Sequence, residues 1–163
     1  MPKVNSAGEL LLWWSFRLVV IEAQGDIRVG EASVEKKRRV LVVEDEPAIA
    51  KVCVRTLTAE GFEVDIAVNG KIAYHWLDKD MYDLCLVDIR TPEMNGMELY
   101  RQLQEDCSEM TNRVIFTTGD VINDNVKVFL EETGRPFLAK PFTLEELRSV
   151  VRAAWALSSQ RGS

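Results

Sequence analysis

The sequence predicts an α/β domain: a three-layer, doubly wound (βα)5 parallel sheet with helices on both faces. Three observations carry this. Short apolar runs, rich in β-branched residues, recur between residues 40 and 139, as strands buried on both faces require. A stretch of helical period follows each run. Strict alternation of the two element types calls for crossover connections, which lay parallel strands side by side beneath helices.

The first strand is Val40-Leu41-Val42-Val43, halted by Glu44-Asp45-Glu46-Pro47. Pro47 suits a first helical turn, and the acids suit a helix N-terminus. Ile49, Val52, Cys53 and Leu57 trace the apolar stripe of that helix, and Gly61 caps it. Phe62 to Val68 is the second strand, and Asn69-Gly70 turns the chain into a helix over Lys71 to Leu77. Tyr82 to Val87 is the third strand, ending at Asp88, with a helix over Met94 to Glu105 after it. Arg113 to Thr117 is the fourth, ending at Thr118-Gly119-Asp120, and its helix, Ile122 to Glu132, stops at Gly134. Phe137 to Ala139 is a short fifth strand, ending at Lys140-Pro141. The last helix runs from Thr143 to Leu157, where Thr143 and Glu146 form a capping box ahead of Leu147, Val150 and Val151.

A length of 163 residues accommodates one such domain and an extension. With 47% apolar and 28% charged residues, the chain is neither disordered, collagen-like nor a disulfide scaffold. Its net charge of −6 repels DNA and anionic lipid, so no nucleic acid and no membrane is expected as a partner. That charge is uneven. Residues 1–39 hold seven Lys/Arg against five Asp/Glu, and residues 40–163 hold thirteen against twenty-one. The boundary falls in Glu31 to Arg39 (EASVEKKRR), which has no apolar period. The expected organisation is an N-terminal extension over 1–34 with no assigned fold, a linker over 35–38, the main domain over 39–157 and a flexible tail over 158–163.

The apolar run Leu10 to Ile21 has 12 residues and contains Arg17. A membrane-spanning helix needs roughly 20 apolar residues. No small-residue cleavage pattern follows the run, so it reads as an element that packs on a core or a partner, with Trp13 and Trp14 at its centre. Cys53, Cys85 and Cys107 are widely spaced, and His75 is the only histidine. A zinc site is not expected; the cysteines read as reduced thiols of a cytoplasmic protein.

In parallel sheets, ligands bind beyond the carboxyl ends of the strands. The polar residues there are Glu44-Asp45, Asp88, Thr118 and Lys140. Three converging carboxylates repel one another, and a hard divalent cation relieves that repulsion. Lys140 adds a cation and Thr118 a hydroxyl donor. Metal, ammonium and hydroxyl together suit a tetrahedral phosphoryl group, and a carboxylate among them can serve as nucleophile.

Four stretches carry a family resemblance: Val40–Pro47 (VLVVEDEP), Leu84–Gly96 (LCLVDIRTPEMNG), Val114–Asp120 (VIFTTGD) and Phe137–Phe142 (FLAKPF). In order and spacing the sequence resembles the response-regulator receiver domain, the phospho-acceptor module of two-component signalling, over about residues 38–157. The resemblance implies a flavodoxin/CheY-like fold with strand order 2-1-3-4-5. It implies that Asp88 is phosphorylated. It implies that Glu44, Asp45, Asp88 and the backbone carbonyl of Arg90 hold Mg²⁺, with Mn²⁺ as an alternative. Thr118 and Lys140 match the catalytic hydroxyl and lysine, Thr118 and Phe137 the switch pair, and Pro141 the family's cis peptide. Pro92 and Gly96 match the loop after Asp88. The implied partners are a sensor histidine kinase or histidine phosphotransfer protein and a downstream protein. Such a domain phosphorylates and dephosphorylates itself and has no metabolite substrate, so no enzyme in the ordinary sense is expected.

Thr91 departs from the family, many of whose members carry methionine there. Arg90 and Asp120 occupy positions that vary in the family and tune the lifetime of the phosphorylated state. Two other readings compete with a free-standing receiver. One is a detached or C-terminal receiver of a hybrid histidine kinase: Val19–Val29 faintly resembles the last helix and strand of a kinase ATPase domain. No glycine-rich phosphate loop precedes that stretch, since Gly8 is the only glycine before Gly25. The other is a phosphate-independent interaction module. Haloacid-dehalogenase phosphatases also use an aspartyl nucleophile, but their D-x-D-x-T pattern is absent at Asp88-Ile89-Arg90-Thr91.

Overall fold

The computed structural model describes residues 37–106 and 108–160, together with three short strands in the first 21 residues. The chain divides into two units, Met1–Lys36 and Lys37–Ser163.

In the first unit, β1 (Lys3–Val4), β2 (Leu10–Trp14) and β3 (Arg17–Ile21) form an antiparallel sheet in the order β1-β2-β3. Leu12 lies opposite Val19, and Trp13 opposite Leu18. The apolar run of the sequence is thus a pair of strands. The rest of the kinase-like stretch, residues 35 and 36 of the linker and Cys107 lie outside the described residues, as do 161–163.

The second unit follows the predicted alternation. Its elements are β4 (Arg38–Val43), α1 (Pro47–Ala59), β5 (Phe62–Ala67), α2 (Gly70–Lys79), β6 (Leu84–Asp88) and α3 (Gly96–Glu105). They continue with β7 (Val114–Thr118), α4 (Asp124–Thr133), β8 (Phe137–Ala139) and α5 (Leu144–Gln160). All neighbouring strands are parallel, in the order β5-β4-β6-β7-β8. Counted within this unit, that is 2-1-3-4-5.

Successive side chains of a strand point to opposite faces of the sheet. The central strands carry unbroken apolar runs, Val40–Val43, Leu84–Val87 and Val114–Phe116, so each feeds two cores. Leu41, Val43, Cys85, Val87 and Phe116 pack against residues of α2, α3 and α4. Val40, Val42, Leu84, Leu86 and Ile115 pack against Cys53 and Leu57 of α1 and Leu147 and Val151 of α5. Tyr100, Phe116 and Phe129 meet edge to face with ring centroids 5.1–5.8 Å apart, a favoured aromatic geometry. Burial pushes the Cys53 thiol up to about 11 and raises Cys85 as well, which keeps both as inert thiols at neutral pH.

Several boundaries differ from the sequence reading. Val52, placed on the apolar stripe of α1, is 40% exposed; the buried stripe is Ala50, Cys53, Thr56 and Leu57. The fourth helix begins at Asp124 and not at Ile122, because Asn123 caps it by accepting from the Asn125 and Val126 amides. A 3-10 turn over Glu109–Arg113, unforeseen in the sequence, leads into β7. The capping box stands as expected, with Thr143 N and Oγ1 donating to Glu146 and Glu146 N donating back to Thr143 Oγ1. The helix it starts runs to Gln160, past the predicted end at Leu157 and into the presumed tail.

Candidate functional site

The carboxyl ends of β4, β6, β7 and β8 converge because adjacent parallel strands end at one edge of the sheet. Glu44 follows β4, Asp88 ends β6, Thr118 ends β7 and Lys140 follows β8. Glu44 is 3% exposed and Asp88 4%, whereas Asp45 is exposed.

Lys140 sits between the two buried acids. Its Nζ donates to Asp88 Oδ2 at 2.6 Å and to Glu44 Oε2 at 2.7 Å. Burial opposes a charge on Lys140, but these two hydrogen bonds outweigh it and hold its pKa above the ordinary lysine value. Burial pushes the Glu44 carboxyl up, against the opposing pull of Lys140 and of the Glu46 N–H. That N–H donates to Glu44 Oε1 at 3.0 Å, and Glu46 makes no side-chain cap for α1. The acids before Pro47 therefore serve the site more than the helix end.

Carboxylate oxygens of Glu44, Asp45 and Asp88 all lie within 4.8 Å of one another. An all-oxygen set of this kind suits a hard divalent ion such as Mg²⁺, which needs only one or two carboxylates and keeps its waters. The residues present fit the cation that the sequence led us to expect.

The other expected residues are placed as follows. The Arg90 amide donates to Asp88 Oδ1 at 3.0 Å, and the Arg90 guanidinium pairs with Asp120 across the two loops. Thr118 is fully buried, and its Oγ1 accepts from the Asp120 amide at 3.0 Å. Its carbonyl accepts from Lys140 N at 2.7 Å, which ties β7 to β8 at the site. Phe137 is 47% exposed at the start of β8, opposite Phe116 and apart from the acid cluster. The Lys140–Pro141 peptide is cis. Asp45, Glu46, Asp88, Arg90, Gly119, Asp120 and Lys140 line a cavity of about 430 Å³ open to solvent.

Two residues beside the site escaped the sequence reading. Asn69, on the turn after β5, donates to Glu93 of the β6–α3 loop at 3.1 Å. The Asn69-Gly70 dipeptide was visible as a turn, but nothing local names a partner 24 residues away.

Comparison with known proteins agrees with this geometry. Residues 40–152 match the family described as the response regulator receiver domain. Among curated relatives, the transcriptional regulatory protein CusR of Escherichia coli K12 is 36% identical over 114 residues, covering 70% of this chain and 49% of its own. The transcriptional regulatory protein CrdR of Helicobacter pylori is 31% identical over 116 residues, covering 71% and 54%. The chain thus spans about half the length of the curated relatives it matches. Two solved structures are also similar. One is the signal receiver domain of a signal transduction histidine kinase from Syntrophus aciditrophicus, 28% identical with a TM-score of 0.66, covering 73% of this chain and 90% of that one. The other is the receiver domain of a sensor histidine kinase from Pseudomonas aeruginosa, solved with a magnesium ion in its active site cleft. It is 26% identical with a TM-score of 0.65, covering 74% and 98%. With the fold, the strand order, the acid cluster and a match over most of its length in agreement, the chain belongs to the response regulator receiver domain family of two-component systems.

Proposed function

We propose that residues 37–160 form a phospho-acceptor that takes a phosphoryl group onto Asp88 from a phosphohistidine of a sensor histidine kinase or histidine phosphotransfer protein. The observation that carries this reading is Lys140 Nζ at 2.6 Å from Asp88 Oδ2, beside two further carboxylates. An Asp88 oxygen attacks phosphorus in line. The new O–P bond forms as the N–P bond of the donor breaks, and the donor imidazole keeps the electron pair and takes a proton from solvent. Lys140 holds the nucleophile in place and offers its charge to the transferring oxygens. Glu44, Asp45, Asp88 and the Arg90 carbonyl are the groups that would hold Mg²⁺, or Mn²⁺ in its place. A cation there supplies positive charge against the phosphoryl oxygens.

Thr118 Oγ1, now satisfied by the Asp120 amide, turns toward the new phosphoryl group. Phe137 repacks with it, and a downstream protein reads the altered surface. The domain turns over no metabolite and works in the cytoplasm. Among the described residues no helix is long and apolar enough to cross a membrane. A second reading, the receiver of a hybrid histidine kinase, is favoured by the likeness to receiver domains of two histidine kinases. Gene sequence on either side separates the two.

The test is incubation with Mg²⁺ and acetyl phosphate, followed by intact-mass measurement. One added phosphate in the wild type, absent in Asp88→Asn and absent without Mg²⁺, is the expected result. No adduct, and no spectroscopic response to berylliofluoride, would favour a phosphate-independent interaction module.

A further inference from the structure

The loop between β6 and α3 leaves directly from Asp88 and carries the Arg90 carbonyl assigned above to the metal. Glu93 at its tip has φ 63°, and among the described residues no other non-glycine residue has a positive φ. A residue with a Cβ resists that region, so the surroundings must hold it there.

Within the loop, Met94 N–H donates to the Pro92 carbonyl at 2.8 Å and closes a tight turn around Glu93, and Asn69 ties the Glu93 side chain from outside. Asn69 is 4% exposed at the N-cap of α2, where Oδ1 accepts from the Ile72 amide at 2.9 Å. Its Nδ2 donates to Glu93 Oε1 at 3.1 Å. The Glu93 carboxylate therefore also lies near the positive end of α2. Gly70 N–H donates to the Met94 carbonyl at 2.9 Å, and Thr91 Oγ1 donates to the same oxygen at 2.9 Å. A Cβ at position 70 would stand 2.4 Å from that oxygen, so the two turns touch backbone to backbone. Apart from the Ile72 cap bond, these bonds join the turn after β5 to the loop that shapes the acid site, or lie within that loop.

We propose that Asn69 and Glu93 are positioning residues: their hydrogen bond latches the β6–α3 loop so that the Arg90 carbonyl and Asp88 are set for the divalent cation. The proposal rests on the acceptor reading above. Glu93 is exposed, and no other described side chain bonds it in its left-handed conformation. Without Asn69 the turn around Glu93 keeps its backbone bond but loses its tie to the turn after β5, and the residues between Asp88 and Gly96 gain freedom to move. Groups that orient a ligand without touching the ion change metal affinity by about tenfold or more when lost.

Asn69→Asp isolates the latch from the cap. Aspartate caps a helix as well as asparagine does, but it cannot donate to Glu93 and it repels that carboxylate. Adding Glu93→Gln restores the bond with its polarity reversed, since the new amide donates to the new carboxylate. The full chain is titrated with MgCl2 by calorimetry, and amide hydrogen exchange is followed over residues 89–96. Asn69→Asp is expected to weaken Mg²⁺ binding about tenfold and speed exchange in the loop. It should raise the Mg²⁺ concentration needed for half-maximal phosphorylation by acetyl phosphate while leaving the maximal rate near wild type. The double variant should recover most of both losses. A folded Asn69→Asp protein with wild-type Mg²⁺ affinity, or a double variant with no recovery, would overturn the latch alone. Wild-type protein that failed to bind Mg²⁺ would overturn the acceptor reading and the proposal with it.

Discussion

Replacing Lys140 by methionine removes a charge and keeps most of the side-chain length. In the wild type the ammonium spans two buried carboxylates at 2.6 and 2.7 Å, with 13% of its own side chain exposed. Losing one partner of a buried ion pair costs about 3–5 kcal/mol, because the remaining charge stays buried without compensation. Lys140 is open to solvent on one side, which argues for the lower end, about 3 kcal/mol. For a domain of this size that corresponds to a fall in Tm of about 10 °C. Guanidinium unfolding in EDTA measures the loss. Two further outcomes follow from the same cause. Mg²⁺ should raise the Tm of Lys140→Met by more than that of the wild type, because a cation among the acids replaces the missing ammonium. The double variant Lys140→Met with Asp88→Asn should be more stable than Lys140→Met alone, since one of the two repelling carboxylates is gone. A loss below about 1 kcal/mol, or a double variant less stable than the single, would refute the reasoning.

Arg90 and Asp120 pair over the cavity, and on the acceptor reading proposed above the Arg90 guanidinium would pair with phosphoryl oxygens and slow attack by water. Arg90→Ala should make the phosphorylated protein decay several-fold faster in a mass or radiolabel time course; an unchanged rate would rule the role out. Glu60 accepts two hydrogen bonds from Arg152, at 2.7 and 3.0 Å, and they hold its carboxyl below the usual 4.5. A depressed folded-state pKa contributes stability that is present above the unfolded pKa and is lost as pH falls through the folded one. Glu60→Gln should therefore lower the denaturation midpoint at pH 7 and converge on wild type below the carboxylate range; a gap independent of pH would contradict the ion pair. At Gly96 a Cβ would stand 2.6 Å from the Asp88 carbonyl oxygen and 2.8 Å from Val87 Cγ1. Gly96→Ala should cost about 2 kcal/mol by overpacking, read by urea unfolding, and a neutral result would mean that the loop yields easily.

The strands were legible because burial on both faces leaves its mark residue by residue: Val40 to Val43 have no polar position to offer solvent. Helix edges were less so. Periodicity shows an apolar stripe without its width, and α1 is covered on a narrower face than Ile49, Val52, Cys53 and Leu57 suggest, leaving Val52 exposed. The start of α4 depends on a side-chain cap at Asn123 that competes with the apolar pattern around Ile122. The candidate site was legible in its members because polar residues at strand ends stand out against apolar runs.

By itself the sequence determined the alternation of elements, the parallel sheet and the set Glu44, Asp45, Asp88, Thr118 and Lys140. These follow from local composition and from the rule that parallel strands end together. Tertiary structure alone decided the pairings. Lys140 reaches Glu44 across 96 residues, Arg90 reaches Asp120 across 30, and Asn69 reaches Glu93 across 24. Which side chains meet depends on how far each loop carries them past the sheet edge. Loop geometry is set by through-space hydrogen bonds and steric closeness, as at Gly70 and Met94, and these have no signature in the spacing of residues along the chain.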